Sequence, residues 1–116
     1  MAKSSKEHRV VVTGLGCLTP VGHGPRAFFD ALLSGTSGIR TITRFDTEGY
    51  TTKIAGEITD FVPEEFMEKK AAKRMDRFSQ YGVAAAKMAM EDAGLAADFY
   101  DPFRCGTILG TGIGGI

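Results

Sequence analysis

The first patterned stretch of the chain, Arg9-Val10-Val11-Val12, is a β-branched run without polar alternation that gives way to Gly14, Gly16, Pro20 and Gly22. An unalternating apolar run suits a strand covered on both faces, as in a parallel sheet between helix layers. Gly14 and Gly16 free the backbone for a tight turn, and Pro20 ends the strand. Pro25 then stands where a first helical turn begins, and Ala27 to Leu33 follows with helical apolar spacing until Gly35 stops it. Residues 36–52 are mostly Ser, Thr, Gly and charge, and read as a long irregular connection. From Lys53 to Ile58 the pattern alternates, with Ile54, Gly56 and Ile58 on one side, which predicts a half-exposed strand. Pro63-Glu64-Glu65-Phe66-Met67 reads as a short helix with its acids at the positive end of the dipole.

The longest periodic segment runs from about Lys70 to Ala93. Ala71, Met75, Phe78, Gly82, Ala85, Ala89 and Ala93 keep one helical face apolar. Small residues dominate its second half, so a neighbouring element can come close there, and Gly94-Leu95 has the form of a Schellman stop. Asp101-Pro102 turns the chain into Cys105-Gly106-Thr107-Ile108-Leu109-Gly110, which reads as a second buried strand. The order of elements predicts an α/β arrangement with at least one right-handed crossover.

A length of 116 residues suits one compact unit. Its 14 basic and 14 acidic side chains cancel, so a nucleic-acid partner does not follow from the charge balance. No apolar run approaches the roughly 18 residues of a bilayer span. Lys3, Lys6 and Arg9 precede only a short run broken by glycines, which does not make a signal peptide, so a cytoplasmic protein is the expectation. Cys17 and Cys105 read as small buried apolar residues rather than a disulfide.

Five motifs occur in order: the opening stretch Arg9-Val10-Val11-Val12-Thr13-Gly14-Leu15-Gly16-Cys17-Leu18-Thr19-Pro20-Val21-Gly22; Ala31-Leu32-Leu33-Ser34-Gly35-Thr36-Ser37-Gly38-Ile39; Phe45-Asp46 with Tyr50 and Lys53-Ile54-Ala55-Gly56; Arg74-Met75-Asp76-Arg77-Phe78 with Gln80-Tyr81-Gly82; and Gly110-Thr111-Gly112-Ile113-Gly114-Gly115. Together they resemble the beta-ketoacyl-acyl-carrier-protein synthases, the condensing enzymes of fatty acid and polyketide assembly, and the Phe45-Asp46 block is closer to the elongating, type II enzymes. The resemblance implies a thiolase-like fold of α/β/α/β/α layers, of which residues 1–116 are the N-terminal portion of the N-terminal domain. It also implies a much longer complete enzyme whose nucleophilic cysteine and catalytic histidines lie beyond this segment, so the segment alone is expected to be inactive. Acyl carrier protein, acyl and malonyl thioesters and a homodimeric partner are implied as well, with no external cofactor. A chain-length factor, the silent relative that pairs with an active synthase, has a similar front portion and stays open.

The terminal glycines satisfy a G-x-G-x-x-G spacing, but a dinucleotide site also needs a following helix and an acidic residue roughly 20 positions on. The resemblance implies instead that this turn lies beside an acyl pocket and that Ile113 walls it. The same glycines also serve simply to keep a strand end thin where another backbone passes. Lys69, Lys70, Lys73, Arg74 and Arg77 gather where the long helix begins. Lys70, Lys73 and Arg74 are spaced to share a face, which in an ordinary helix is a solvated face. The resemblance implies that they dock an acidic carrier protein. Cations at the start of a helix oppose its dipole, so helix stability does not account for them. Cys17 and Cys105 stand at a turn and a strand start, outside the family's nucleophile motif, and His8 and His23 are expected at the surface. No metal-ligand spacing is present.

Overall fold

Helix α3 (Arg77–Asp92) is the post on which the rest of the chain leans. The structure, a computed structural model, describes residues 9–96, 101 and 103–115. Along them follow β1 (Leu18–Thr19), β2 (Gly22–His23), α1 (Pro25–Leu33), β3 (Ile39–Thr41), β4 (Ile54–Gly56), a 3-10 turn (Pro63–Glu65), α2 (Lys69–Ala72) and α3.

Two faces of α3 carry different packing. Toward the preceding loop, Phe61 is only 5% exposed. Its ring stacks on Phe66 at 5.8 Å and meets Tyr81 edge-on at 5.0 Å, while the Arg77 guanidinium lies 5.7 Å from the Phe61 ring centre and 5.8 Å from that of Tyr81. Ala72 and Ala84 complete this small core. On another side Ala85, Ala89 and Ala93 receive the Gly14–Gly16 backbone so closely that an added side chain has no room. A Cβ built on Gly14 would sit 2.7 Å from the Ala93 nitrogen, and one on Gly16 2.7 Å from the Ala89 nitrogen. The expected close approach along the helix's small-residue half is therefore present, and Leu15 N–H fixes it by donating to Asp92 Oδ2 at 2.9 Å.

The stops of α1 and α3 follow from glycine. Gly35 (φ 70°) lets Thr36 N–H reach Ala31 O and Gly35 N–H reach Leu32 O, and Gly94 (φ 67°) does the same with Leu95 to Met90 and Gly94 to Glu91. These are Schellman closures, each satisfying carbonyls that the helix end leaves bare. Pro25 occupies the first turn of α1, as its sequence position predicts.

Several expectations are corrected. The Val10–Val12 run and residues 105–110 are paired with no strand, and Val10 is 91% and Ile108 100% exposed. A strand exists only with a hydrogen-bonding partner, and apolar composition alone does not supply one. Neither a parallel pair nor a crossover occurs among the described residues. The two small sheets are antiparallel: β1 with β2 around Pro20-Val21, and β3 with β4 in the register Ile39 to Gly56, Arg40 to Ala55 and Thr41 to Ile54. The 36–52 connection thus contains strand β3, pairing with the expected strand at β4. Gly38 and Gly56 leave the space that Pro20 fills between the two hairpins. The single helix predicted over 70–93 is broken at 73–76, and its buried residues are Ala72, Gln80 and Ala84 rather than Met75 and Phe78. Cys105 is exposed and Cys17 half-buried; both are free.

The accessible surface is 9841 Å², whereas a folded monomer of 12.4 kDa exposes about 6,100 Å². The radius of gyration is 18.7 Å against about 13 Å for a compact chain of this length. The residues as an isolated polypeptide should accordingly bind a hydrophobic dye and melt without a sharp transition; a cooperative calorimetric peak from a soluble monomer would contradict this.

Candidate functional site

The stretch from α2 into α3 gathers five cations. Lys69 and Lys70 lie in α2, Lys73 caps it, and Arg74 follows in a tight turn closed by Arg74 N–H to Ala71 O and Met75 N–H to Ala72 O. Lys70, Lys73 and Arg74 are exposed, and among the described residues none enters an ion pair. They do not share the first turn of one long helix: Lys70 is the second residue of the four-residue α2, and Lys73 and Arg74 lie between its carbonyl end and the amino end of α3. Arg77, the fifth cation, is committed to the aromatic rings.

The break itself is held from inside. Gln80, 8% exposed, donates through Nε2 to Ala72 O at 2.8 Å and Met75 O at 3.1 Å, occupying carbonyls that an unbroken helix would have used. Asp76 is the N-cap residue of α3, but its side chain makes no capping bond to the helix. It lies instead against the terminal glycine turn, a juxtaposition invisible to helical periodicity although the Arg74–Phe78 motif had marked the residue.

That turn carries Ile113, which is 77% exposed. Gly114 has φ 80° and faces the Phe78 ring, and Gly115 meets Asp76. A separate cleft of about 250 Å³ runs between α3 and residues 107–109, lined by Ser79, Gly82, Val83, Ala86, Thr107 and Leu109. Ile113 does not line it.

A second polar cluster, unremarked by sequence patterns, ties the β3–β4 hairpin to α3. Glu57 accepts from the Thr43 hydroxyl (2.8 Å), Thr43 N–H (3.0 Å) and Arg44 N–H (3.3 Å). Arg44 Nη2 donates to Ile58 O at 2.9 Å and Tyr81 OH at 3.1 Å, and its Nε stands 3.9 Å from Glu57. The Thr43 hydroxyl above all and then the Thr43 amide hold the Glu57 carboxyl below its ordinary pKa; burial pushes it up by less than either, and Arg44 adds the weakest downward pulls.

Neither free thiol has the surroundings of a nucleophile: Cys17 flanks the first hairpin and Cys105 faces solvent. His23 is half-buried rather than at the surface, with Nε2 3.2 Å from Asp60 Oδ1. His8 lies outside the described residues. Among the described residues no group of side chains could hold a metal ion, and no helix is long and apolar enough to cross a membrane.

The chain as a whole is similar to known proteins. The chain belongs to the beta-ketoacyl synthase family, whose N-terminal domain matches residues 7–116. It is 46% identical to 3-oxoacyl-[acyl-carrier-protein] synthase 2 of Vibrio cholerae over 110 residues, which are 95% of this chain and 27% of that protein. With the synthase of the same name from Staphylococcus aureus strain COL it shares 44% over 112 residues, 97% of this chain and again 27% of the relative. The chain thus spans about a quarter of the length of these relatives. A solved structure, the ishigamide ketosynthase/chain length factor, superposes with a TM-score of 0.70 at 44% identity, covering 76% of this chain and 22% of that one. Family and superposition together imply the thiolase-like fold.

The Glu57 carboxyl sets a pH dependence. Because its folded pKa is depressed, its stabilisation is complete above the unfolded value of about 4.3 and fades as pH falls through that value toward the folded one. Urea midpoints of the full-length protein between about pH 3 and 7 should lose part of this acid-side slope in Glu57→Gln; identical slopes in both proteins would show that Glu57 does not contribute.

Proposed function

We propose that the full-length protein carrying this segment is a beta-ketoacyl-acyl-carrier-protein synthase of the elongating type. The observation that carries this reading is the 44–46% identity, along nearly the whole chain, to proteins named 3-oxoacyl-[acyl-carrier-protein] synthase 2. In this chemistry a cysteine thiolate attacks the acyl thioester of a carrier protein and expels the carrier thiolate. Malonyl-carrier protein then loses carbon dioxide, and the resulting carbanion attacks the enzyme-bound acyl group, releasing the cysteine and leaving a chain two carbons longer on the carrier. The developing oxyanion requires aimed donors, and no external cofactor takes part. The nucleophile and histidines belong to other parts of the protein. Residues 1–116 supply the front of the N-terminal domain in an α/β/α/β/α layered, cytoplasmic, homodimeric enzyme. The Val10–Val12 and 107–109 segments, which pair with no strand among the described residues, and exposed apolar side chains such as Val10, Val12, Ile108 and Leu109 support covering layers of this kind.

Within that enzyme, Lys70, Lys73 and Arg74 dock the acidic carrier protein and Ile113 walls the acyl pocket. Exposed, unpaired cations on one short link favour electrostatic steering. Ile113 is free to meet a neighbouring layer. The chain-length-factor reading keeps one specific support, the superposition on a ketosynthase/chain length factor structure. Incubation of the purified full-length protein with acyl- and malonyl-carrier protein decides between them: extended product supports the synthase, and its absence with decarboxylation also absent supports the silent partner.

Reversing the charge of Lys70, Lys73 and Arg74 together should slow acyl transfer from carrier protein by roughly tenfold or more, with transfer from a small acyl thioester nearly unchanged. Equal losses with both donors would remove the docking role. Ile113→Phe should lower kcat/KM for long acyl chains by about tenfold relative to short ones, and an unchanged profile would take Ile113 out of the pocket wall.

A further inference from the structure

The terminal turn is seated on a residue that neither the docking nor the pocket reading uses. A Cβ built on Gly115 would lie 2.6 Å from Asp76 Cγ and 3.2 Å from Asp76 Cβ, so the turn's backbone rests directly on that side chain. One residue earlier, Gly114 at φ 80° brings its backbone against the Phe78 ring, where an added Cβ would be 3.7 Å from Cζ. Asp76 and Phe78 flank the first residue of α3, and Ile113 immediately precedes the two glycines they hold. Asp76 makes no capping bond to its own helix, the usual employment of an aspartate at that position.

We propose that Asp76 is a positioning residue that seats the Ile113-bearing turn on the start of α3 and so sets, through Ile113, the acyl chain length accepted. This rests on the reading of Ile113 as a pocket wall. The physical argument is one of reach: Ile113 is linked to Gly115 through a single residue, so the height at which Gly115 rests fixes where the isoleucine side chain stands. A methyl group at position 115 must push away either the carboxylate or the turn. Truncating Asp76 removes the seat. Asp76→Asn keeps the same shape and so preserves it.

The test uses the full-length enzyme, reading the ratio of kcat/KM for a long against a short acyl-carrier thioester. Asp76→Ala and Gly115→Ala should each move the ratio by several-fold to roughly tenfold, and Asp76→Asn should restore it to the parent value. A merely structural role would lower both terms in proportion and leave the ratio fixed. If Ile113→Phe shifts the ratio but neither Asp76→Ala nor Gly115→Ala does, the positioning role is overturned while the pocket reading stands. If Ile113→Phe also leaves it fixed, the pocket reading fails and takes this one with it. Independently of activity, Asp76→Cys with Gly115→Cys should cross-link on oxidation, since the 3.2 Å between the built Cβ and Asp76 Cβ needs only a small adjustment to the roughly 3.8 Å of a disulfide. Peptide mapping that finds no 76–115 bridge would overturn the juxtaposition itself.

Discussion

The rest of the structure depends on backbone being allowed to touch helix. Gly14 and Gly16 come down on Ala85, Ala89 and Ala93 at a separation that excludes even a methyl group on the glycines, and Leu15 donates to Asp92 at the far end of the same seam. Short-range dispersion across such a seam is small per atom pair and substantial in sum. With the first segment laid along α3, the Pro20 turn is delivered between the two hairpins, and Arg44 then ties the second hairpin back to Tyr81. Helix α3 and its N-cap therefore receive residues 14–16, Arg44 and the 114–115 turn.

Much of this was legible wherever the deciding physics is local. Pro25 and Gly35 bounded α1, Gly94-Leu95 marked the end of α3, and the alanine-rich half of the helix announced a close neighbour, because caps and side-chain volume act within a turn or two. The alternation at Lys53–Ile58 marked β4 for the same reason. Its partner β3 was hidden in a polar stretch, since pairing is decided by a residue far away in sequence. The Val10–Val12 and 105–110 runs show the converse: apolar composition expresses a demand for cover, and the described residues do not meet it.

The candidate site divides along the same line. Spacing groups Lys70, Lys73 and Arg74, and the resemblance singles them out together with Ile113, whereas the Asp76–Gly115 seat and the Thr43–Arg44–Glu57–Tyr81 cluster arise from contacts between segments. The interruption at 73–76 also eluded periodicity, because the side-chain pattern continues through it almost in phase. Chemistry-bearing groups thus concentrate at a link whose backbone is irregular, between two helices that are not.

Gln80 gives that interruption a further meaning. Its buried amide reaches back to Ala72 and Met75, so the spacing from position 72 to 80 is metered by one side chain. Adding or deleting a single residue there would rotate the amide by about 100° around the helix axis and strand it away from both carbonyls. The link is consequently a ruler of fixed length, closed to insertions and deletions.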